Sequence, residues 1–417
     1  MNATSQPTRS RRIWLWVSAG FLLQAIPAAI RDEALPAALK NLHASDALNT
    51  RIVAILGLLV GIKILWAPLI IRLGPTRKFI LAGQFLMAVL LTILAAAVHL
   101  SDVATSLIFI PLVLISLLSA GHDFALDGYF VASLESHDRS RHAGLLNFAS
   151  KLGQVLAGPG LIWLAGRAMN QGTSPTQAWG QALYLAAGLT LLANLAVGYG
   201  FHHEPETHPA ERPAILPTLL ELFKDQRFLA VLGLIFFYRS SEIHMSLVAK
   251  LFSLAPTTEG GLGLDNETYA ILRLTTAVTG LALGGLLGSH FITKYGLKRS
   301  LVPLGIIMHL PLLGIAWLAH HSTVGLPIIT SIFLVEYLVY GAGLCALLLA
   351  MMQLAQGTHA AIRYAALSTL GLLAAYLPGF WAGAWSTQLG YQNYFLLITL
   401  LAIPGIISAW NAKKYFA

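Results

Sequence analysis

Long apolar stretches recur along the whole chain and alternate with short polar segments. A helix needs about 20 consecutive, mainly apolar residues to cross the hydrocarbon core of a bilayer. Twelve stretches meet this requirement, so the pattern predicts an all-α polytopic membrane protein with twelve transmembrane helices. The predicted spans cover residues 13–30, 51–71, 79–99, 104–133, 143–165, 179–201, 227–253, 267–292, 300–319, 327–354, 364–386 and 392–410.

The composition supports a chain that is embedded in lipid. Hydrophobic residues make up 56% of the 417 residues and charged residues only 11%, whereas a soluble domain carries about 25% charged residues. The chain therefore lacks the polar surface that a water-soluble fold of this length needs. Cys345 is the only cysteine, which excludes a disulfide within the chain.

The net charge of +8 is unevenly distributed between the two sides of the predicted membrane. Seventeen of the 26 Lys and Arg residues lie in segments on the same side as the N-terminus. Only four lie in segments on the other side, namely Arg31, Lys40, Arg51 and Arg167. Because basic residues favour the cytoplasmic side, both termini are expected in the cytoplasm. The basic excess is an orientation signal and does not indicate a nucleic-acid partner.

The longest hydrophilic stretch divides the spans six and six. It predicts an N-terminal six-helix bundle over 1–201, a cytoplasmic linker over 202–226 and a C-terminal six-helix bundle over 227–417. A repeat supports this division, because the loop IRLGPTRKFI after the second span matches ITKYGLKRSL after the eighth. Duplicated bundles are typical of secondary transporters. The His and Glu residues of the linker match no structural zinc spacing, and no metal or cofactor is expected.

Charged residues inside the predicted spans are the main candidates for function. Each costs about 2.5–3.5 kcal/mol when it faces lipid, so these side chains are expected to face one another or a water-filled cavity. Nine residues belong to this set: Lys63, Asp123, Asp127, Lys151, Arg239, Glu242, Lys250, Arg273 and Glu336.

The N-terminal half carries two kinds of candidate. Asp123 and Asp127 lie one helical turn apart on a narrow polar face of the fourth span. Lys151 in the fifth span is expected at a similar depth, and it is the predicted partner of Asp127 in a structural ion pair. Asp123, which follows His122, and Lys63 on the second span are predicted to belong to the substrate or proton pathway.

The C-terminal half supplies the other candidates for the pathway. Arg239 and Glu242 are three residues apart and can pair within one helix. Arg273 lies on the eighth span and Glu336 on the tenth. Tyr376, near the middle of the eleventh span, is the aromatic residue that we expect to contact a ligand.

Aromatic and small residues complete the pattern. The eleventh span contains AAYLPGFWAGAW, in which Trp381 and Trp385 are expected in the core or in the aromatic belt at the membrane interface. The segment GLALGGLLGSH at 280–290 predicts close helix packing through small residues.

Several motifs together resemble a known family. The segments HDFALDGYF (122–130), KILWAPL (63–69), FFYRSSE (236–242) and AAYLPGFWAG (374–383) are similar in order and spacing to the AmpG-like branch of the major facilitator superfamily. GGLGLDNETY (260–269) and KYGLKRSLVPLGI (294–306) add to the resemblance. With the N-terminal piece IRDEALPAALKNL, the chain is most similar to siderophore permeases of the FptX and RhtX type. It departs from the superfamily at Ile71 and Thr293, where the loop acid is missing.

The resemblance implies both a fold and a function. In the major facilitator fold the first, fourth, seventh and tenth spans line a central cavity, and the third, sixth, ninth and twelfth, which carry none of the nine charges, lie outside. A permease of this branch would import an iron–siderophore chelate, such as a pyochelin-like compound, across a bacterial inner membrane. It would work by alternating access, driven by protons, with the lipid bilayer and the small molecule as its partners and as a monomer.

Other functions stay open on the sequence alone. The AmpG archetype imports muropeptides, which makes a muropeptide permease the first alternative. A membrane sensor and an intramembrane enzyme belong to different classes. The chain contains neither HExxH nor GxGD, and it has no Walker A loop, so an enzyme is not expected.

Overall fold

The computed structural model describes residues 6–61, 76–100, 105–134, 136–201, 215–321, 323–356 and 360–416. These residues form helices joined by short turns, and no strand occurs among them. The all-α membrane fold predicted from the apolar pattern is thus confirmed.

Eight α-helices are described in the N-terminal part of the chain, outside its undescribed segments. They are α1 (Gln6–Ala29), α2 (Leu35–Asn41), α3 (Asp46–Gly61), α4 (Thr76–His99), α5 (Thr105–Ser133), α6 (Ser136–Val155), α7 (Leu161–Asn170) and α8 (Pro175–Phe201).

Ten α-helices occur among the described residues from 215 onward. They are α9 (Ile215–Lys224), α10 (Phe228–Gly233), α11 (Ser240–Leu254), α12 (Asn266–Tyr295), α13 (Leu297–His309), α14 (Pro311–His320), α15 (Leu326–Ala355), α16 (Ala360–Tyr376), α17 (Ala382–Leu400) and α18 (Ala402–Ala412). Helix α17 is kinked at Gly390, whose φ of 74° separates the eleventh predicted span from the twelfth.

Nine helical segments in the described part of the chain are long and apolar enough to cross a membrane. They coincide with nine of the twelve predicted spans. The predicted span 51–71 runs into residues that the structure does not describe. The spans 143–165 and 364–386 are helical but are interrupted by the turns Leu156–Gly160 and Leu377–Phe380. Twelve spans remain in keeping with this structure.

The first span extends further than its apolar pattern indicates. Its helical segment reaches Asn41, because the π turn Ile30–Ala34 joins α1 to α2. The prediction ended the span at residue 30, where the charges of Arg31 and Asp32 begin. In the structure these two side chains pair with each other at 2.8 Å, so the two charges offset one another inside the helical segment.

Within the described residues, three π turns interrupt the helices: Ile30–Ala34, Leu156–Gly160 and Leu234–Tyr238. A π turn accommodates one extra residue and is frequent at functional sites. The third of them directly precedes Arg239, one of the predicted pathway residues.

The chain divides into two compact units. Unit 1 contains Met1–Leu42 and Leu59–Arg212, and unit 2 contains His43–Leu58 and Pro213–Ala417. The segment His43–Leu58 is thus grouped with the C-terminal half. Residues 202–214 of the predicted linker lie outside the described part of the chain, and the predicted bundle boundaries stay a prediction.

An aromatic cluster forms part of the core of unit 1. The fully buried Trp16 of α1 packs edge-on against Tyr129 of α5, with ring centroids 5.3 Å apart, and against Phe201 of α8 at 5.5 Å. A Cβ atom on Gly200 would lie 2.7 Å from the Cβ of Trp16. Glycine at this position therefore allows α1 and α8 to approach closely.

In unit 2, α12 packs along α15 through glycines. A Cβ on Gly284 would overlap the carbonyl oxygen of Leu338, and a Cβ on Gly280 would lie 2.6 Å from the Cβ of Tyr337. The close packing predicted for residues 280–290 is therefore present. It brings the charged residues of α12 next to those of α15.

Candidate functional site

Four charged side chains and one tyrosine are neighbours inside unit 2. This set, the charged cluster, consists of Arg239, Glu242, Arg273, Glu336 and Tyr340. Arg239 caps α11, which carries Glu242; α12 carries Arg273, and α15 carries the other two. All four charged members are residues that the sequence pattern predicts for the pathway. Their role in transport stays a prediction.

The start of α11 presents Arg239 and Glu242 to the same side. After the π turn Leu234–Tyr238, Arg239 has a φ of −110° and a ψ of 9°, outside the helical region. Glu242 follows three residues later, within reach of the arginine. Arg239 donates to Glu242 Oε2 from Nη2 at 3.0 Å and from Nε at 3.3 Å. This is the ion pair that the spacing predicts.

Tyr340 gives Arg239 a second partner. Arg239 Nη2 donates to the Tyr340 hydroxyl, and the guanidinium carbon lies 5.1 Å from the centre of the tyrosine ring. The Arg239 side chain is 23% exposed and the Glu242 side chain 7%. A buried charge is tolerated when it is paired and hydrogen-bonded, and Arg239 meets this condition through both partners.

Arg273 of α12 approaches α15 three residues before Tyr340, at Tyr337. Its guanidinium carbon lies 4.6 Å from the ring centre of Tyr337, in a cation–π arrangement. Arg273 also lies within electrostatic range of Glu242 and Glu336. The cluster thus contains two arginines, each placed over a tyrosine of α15.

Glu336 is the most deeply buried carboxyl group of the cluster. It is 3% exposed, and its Oε2 has no hydrogen-bond partner among the described residues. Its electrostatic neighbours are Arg273, with opposite charge, and Glu242, with the same charge.

The arrangement of the charged cluster suits two kinds of chemistry. A planar guanidinium presents donors in a fork that matches a carboxylate, so Arg239 and Arg273 can hold an anionic group of a solute. A carboxyl group with an unused oxygen can accept and release a proton, and Glu336 has such an oxygen.

The predicted residues of the N-terminal half lie in unit 1. Asp127 Oδ1 accepts a hydrogen bond from Gln24 Nε2 of α1 at 3.3 Å. The exposed Lys151 donates to Gln154 Oε1 at 3.0 Å. The pairing of Asp127 with Lys151 stays a prediction. Asp123 is half-buried on α5, and its assignment to the pathway is likewise a prediction.

Of the two remaining predicted pathway residues, Lys63 lies outside the described residues and Tyr376 lies within them. Tyr376 ends α16 and is only 8% exposed. Its ring occupies the position where a Cβ of Gly57 would be. Tyr376 is therefore part of the packing of unit 2, and a ligand contact through this residue stays a prediction.

Sequence reasoning placed two tryptophans in the core or the interface belt, and it gave no role to the histidine next to them. Trp381 Nε1 donates to His244 Nε2 at 3.0 Å, and the ring of Trp385 is nearly parallel to that of His244, at an angle of 12°. Both tryptophans are partly exposed. The break LPGF before Trp381 is the sequence signal that distinguishes this turn from ordinary core.

A polar network inside unit 1 was also missed. Asn194 Nδ2 donates to Gln84 Oε1 at 3.0 Å and to a carbonyl oxygen of α4. The Gln84 oxygen is thus an acceptor, and Gln84 Nε2 faces His122 Nε2 at 2.9 Å. The three residues are separated by tens of positions in the chain, so their contact leaves no local pattern in the sequence.

A chain of apolar helices whose charged residues meet inside one compact unit has the features of a polytopic membrane transporter. Residues 17–377 match the Major Facilitator Superfamily, and the chain belongs to that family. The expected family is confirmed, and its members are transporters, in keeping with a permease and not with an enzyme.

The curated relatives are distant but cover most of the chain. An uncharacterized protein of Haemophilus influenzae is 25% identical over 97% of this chain and 95% of its own length. The anhydromuropeptide permease of Escherichia coli K12 is 24% identical over 83% of this chain and 68% of its own length. AmpG-type permeases are thus among the relatives. The siderophore-permease branch stays a prediction.

Solved transporter structures share the fold. A D-xylose–proton symporter superposes with a TM-score of 0.69 at 14% identity, over 96% of this chain and 97% of that chain. The nucleoside transporter NupG superposes with a TM-score of 0.64 at 14% identity, over 97% and 99%. At this identity the likeness concerns the fold alone.

Proposed function

We propose that this protein is a secondary transporter that imports a carboxylate-bearing solute into the bacterial cytoplasm with protons. The observation that carries the proposal is the charged cluster of unit 2. Two half-buried arginines and two buried carboxyl groups lie together among spanning helices, although a charged group is costly to place there. A purely structural core at this place would be cheaper to build from apolar residues of similar volume.

In the proposed mechanism the solute and Glu242 compete for the same guanidinium. Arg239 holds Glu242 while the site is empty of solute, and a solute carboxylate replaces Glu242 as its partner. Arg239 keeps its bond to Tyr340 throughout, so the guanidinium stays oriented. The released Glu242 would then be a second negative charge near Glu336, which favours the uptake of one proton by this carboxyl pair.

This competition couples the proton to the solute. A secondary transporter exposes its site alternately to the two sides of the membrane, and a bound ligand shifts that equilibrium only through its different affinity for the two states. A solute that enters as an anion and a proton taken up by the pair Glu242 and Glu336 cross together. On release, Arg239 and Glu242 pair again and the proton leaves.

An anhydromuropeptide is the first candidate for the solute. The permease of Escherichia coli named for this compound matches 83% of the chain, and two transporters of Rickettsia species carry the related name AmpG 4. Such a compound carries peptide carboxylates that suit the two arginines. The identity of 24% is too low to transfer the substrate without an experiment.

An iron–siderophore chelate is the second candidate. It is supported by the sequence motifs that resemble the FptX and RhtX permeases, above all IRDEALPAALKNL. Arg31 of this motif is buried and held by Asp32 in the structure. A pyochelin-like compound also carries a carboxylate, so the charged cluster alone does not separate the two candidates.

Uptake measurements test the proposal. Cells that lack their own permeases for both compounds would express the full chain and receive either labelled anhydromuropeptide or radioactive iron bound to pyochelin. We expect accumulation of the first compound, which stops when an uncoupler removes the proton gradient. Uptake of the iron chelate alone would replace the first candidate by the second, and uptake of neither would contradict both.

A matched pair of variants connects the transport to the charged cluster. Glu336→Gln removes the buried carboxyl group with little change in shape, and Glu259→Gln makes the same change at an exposed position of unit 2. We expect Glu336→Gln to abolish proton-driven accumulation, with protein still present in the membrane, and Glu259→Gln to behave as wild type. Equal uptake by both variants would remove Glu336 from the mechanism.

Localisation and orientation belong to the same proposal. The chain is a multi-pass membrane protein, and we place it in the bacterial inner membrane with both termini in the cytoplasm. The bias of Lys and Arg supports this orientation. A reporter that is active only in the cytoplasm is expected to be active when it is fused to the C-terminus, and an inactive reporter would contradict this orientation.

A further inference from the structure

We propose that His244, Trp381 and Trp385 form a stacking subsite for an uncharged ring of the transported solute. This set is called the aromatic triad. The proposal rests on the transport function proposed above, because it assigns another part of the same solute. It concerns residues outside the charged cluster, and it adds a ring, of sugar or aryl type, to the carboxylate as a recognised feature.

The three rings are equally spaced. The centroids of His244 and Trp381, of His244 and Trp385, and of the two indoles are each 6.1 Å apart. His244 and Trp385 are nearly parallel, while Trp381 is tilted by 44° to the one and 45° to the other. Aromatic rings at centroid distances of about 4.5–7 Å stabilise one another, so the triad is a fixed platform.

The hydrogen bonds of His244 make this platform uncharged. Trp381 Nε1 carries a hydrogen and donates it to His244 Nε2, which must therefore be an acceptor. His244 Nδ1 is then the protonated nitrogen, and it donates to the Ser240 carbonyl oxygen at 2.7 Å. Both ring nitrogens are engaged within the protein. The triad consequently offers ring faces and no charge, which suits a neutral ring better than an anion.

The triad lies where the helix is broken. The 3-10 turn Leu377–Phe380 separates α16 from α17, and Trp381 follows it with a non-helical φ of −126°. Pro378 in the turn has no N–H to continue the helix. Broken helices inside the membrane are tolerated where they line a cavity or are buried in protein, and they form the substrate sites of many secondary transporters.

The break is held by specific contacts of α3. Arg51 Nε donates to the carbonyl oxygen of Phe380 at 3.3 Å, and the N–H of Gly383 donates to Thr50 Oγ1 at 3.2 Å. These bonds satisfy main-chain groups that a continuous helix would pair internally. The interruption is therefore a built feature of unit 2, and it fixes the position of Trp381.

Exposure distinguishes the two tryptophans from the tyrosines nearby. Tyr376, Tyr391 and Tyr394 are 8%, 7% and 0% exposed, and they fill the interior of unit 2. Trp381 and Trp385 are both partly exposed, although they lie on the side of α17 that packs on α11. A large apolar side chain that only packs in the interior of unit 2 would be expected to be buried to the same extent as these tyrosines.

Helix α11 connects the triad to the charged cluster. It lies between α15 and α17, since Arg239 at its start bonds Tyr340 on one side and His244 bonds Trp381 on the other. Glu242 and His244 are two residues apart, about 3 Å along the helix axis. Residues two apart lie on roughly opposite faces of a helix, so the triad is a separate subsite, and a solute that reaches both must extend past α11 from the arginines to the tryptophans.

Binding of ring compounds to the purified full-length protein tests the subsite. The probes are the labelled anhydrodisaccharide without its peptide and iron-loaded pyochelin, each measured by equilibrium dialysis in detergent. We expect one of them to bind the wild type, and Trp385→Ala to weaken that binding about tenfold, the size of one aromatic stacking contact. Glu259→Gln, at an exposed position of unit 2, is expected to leave the affinity for the disaccharide unchanged.

A matched control is available in the same unit. Trp317 stacks on His321 with centroids 4.6 Å apart at the end of α14, a helix that does not contain the break. Trp317→Ala removes a comparable Trp–His stack and is expected to bind as wild type. Trp385→Tyr keeps an aromatic face and is expected to recover most of the affinity, which also covers the case that Trp385→Ala fails to accumulate.

The outcomes separate this inference from the transport proposal. Ring binding that depends on Trp385 supports the subsite even if cells show no uptake. Equal affinity of Trp385→Ala and Trp317→Ala, or no binding of either probe to the wild type, would overturn it. Loss of binding in Trp385→Tyr as complete as in Trp385→Ala would point to packing and would also overturn it.

Discussion

Replacement of Arg239 by alanine is the most direct test of how the charged cluster is stabilised. The change removes the two hydrogen bonds to Glu242 and the one to Tyr340. Glu242, whose side chain is 7% exposed, is left without its nearest opposite charge. Removing one partner of a buried pair costs about 3–5 kcal/mol, so Arg239→Ala is expected to lower the free energy of unfolding by about that amount.

A control of the same chemistry lies at the start of α10. Arg227 pairs with Asp225 at 2.8 Å, and these side chains are 35% and 20% exposed, against 23% and 7% for Arg239 and Glu242. Exposed pairs contribute about 0.2–1 kcal/mol. Arg227→Ala is therefore expected to change the thermal unfolding midpoint in detergent far less than Arg239→Ala does.

A double variant separates burial of a charge from loss of packing. In Arg239→Ala with Glu242→Leu no uncompensated carboxylate remains at this pair, and part of the lost stability should return. The measurement is the unfolding midpoint of the four proteins under identical detergent conditions. Equal midpoints for Arg239→Ala and Arg227→Ala, or a double variant less stable than Arg239→Ala, would refute the assignment of the cost to the buried charge.

Three further predictions concern other parts of the protein. Gly284→Ala places a Cβ on a carbonyl oxygen of α15 and is expected to abolish folded protein or lower its midpoint strongly, whereas Gly285→Ala, with open space around it, is expected to match wild type in size-exclusion chromatography. Tyr391→Phe removes the 2.6 Å bond to Asp46 and leaves a buried carboxylate oxygen without this donor, which is expected to cost about 1–3 kcal/mol in thermal unfolding. The bond from Arg227 lowers the pKa of Asp225 below its ordinary 3.8, so the stabilisation it gives is complete above that pH and is lost as the pH falls further. Asp225→Asn should therefore lower the unfolding midpoint by a constant amount above pH 3.8 and flatten its pH dependence only below that value.

The helices could be predicted largely from the sequence because hydrophobic length alone decides which segments suit a bilayer. Nine predicted spans coincide with apolar helical segments. The end of the first span was misplaced because a scan counts Arg31 and Asp32 as two separate costs. Only the folded turn shows that these charges are paired. The π turn Leu234–Tyr238 contains neither Pro nor Gly, so the sequence gives no sign of it.

The candidate site could be predicted in part. Arg239 and Glu242 are three residues apart, and that spacing is enough to predict their bond. The stacking of Arg273 on Tyr337 depends on which faces of α12 and α15 meet, and this is decided by glycines one to four turns away. Trp381 and Trp385 could not be told from ordinary belt residues, because exposure beside another helix is a property of the packed unit.

The π turns affect how the length of this protein can change. Each contains one residue more than an α-helix needs to connect the same two helical segments. Deleting a single residue within Leu234–Tyr238 would let the turn relax to α-helix while the segments on both sides keep their facing. A deletion elsewhere in the same span would rotate everything after it by about 100°. In an alignment of related chains of different length, gaps inside these helices are therefore expected at the three π turns.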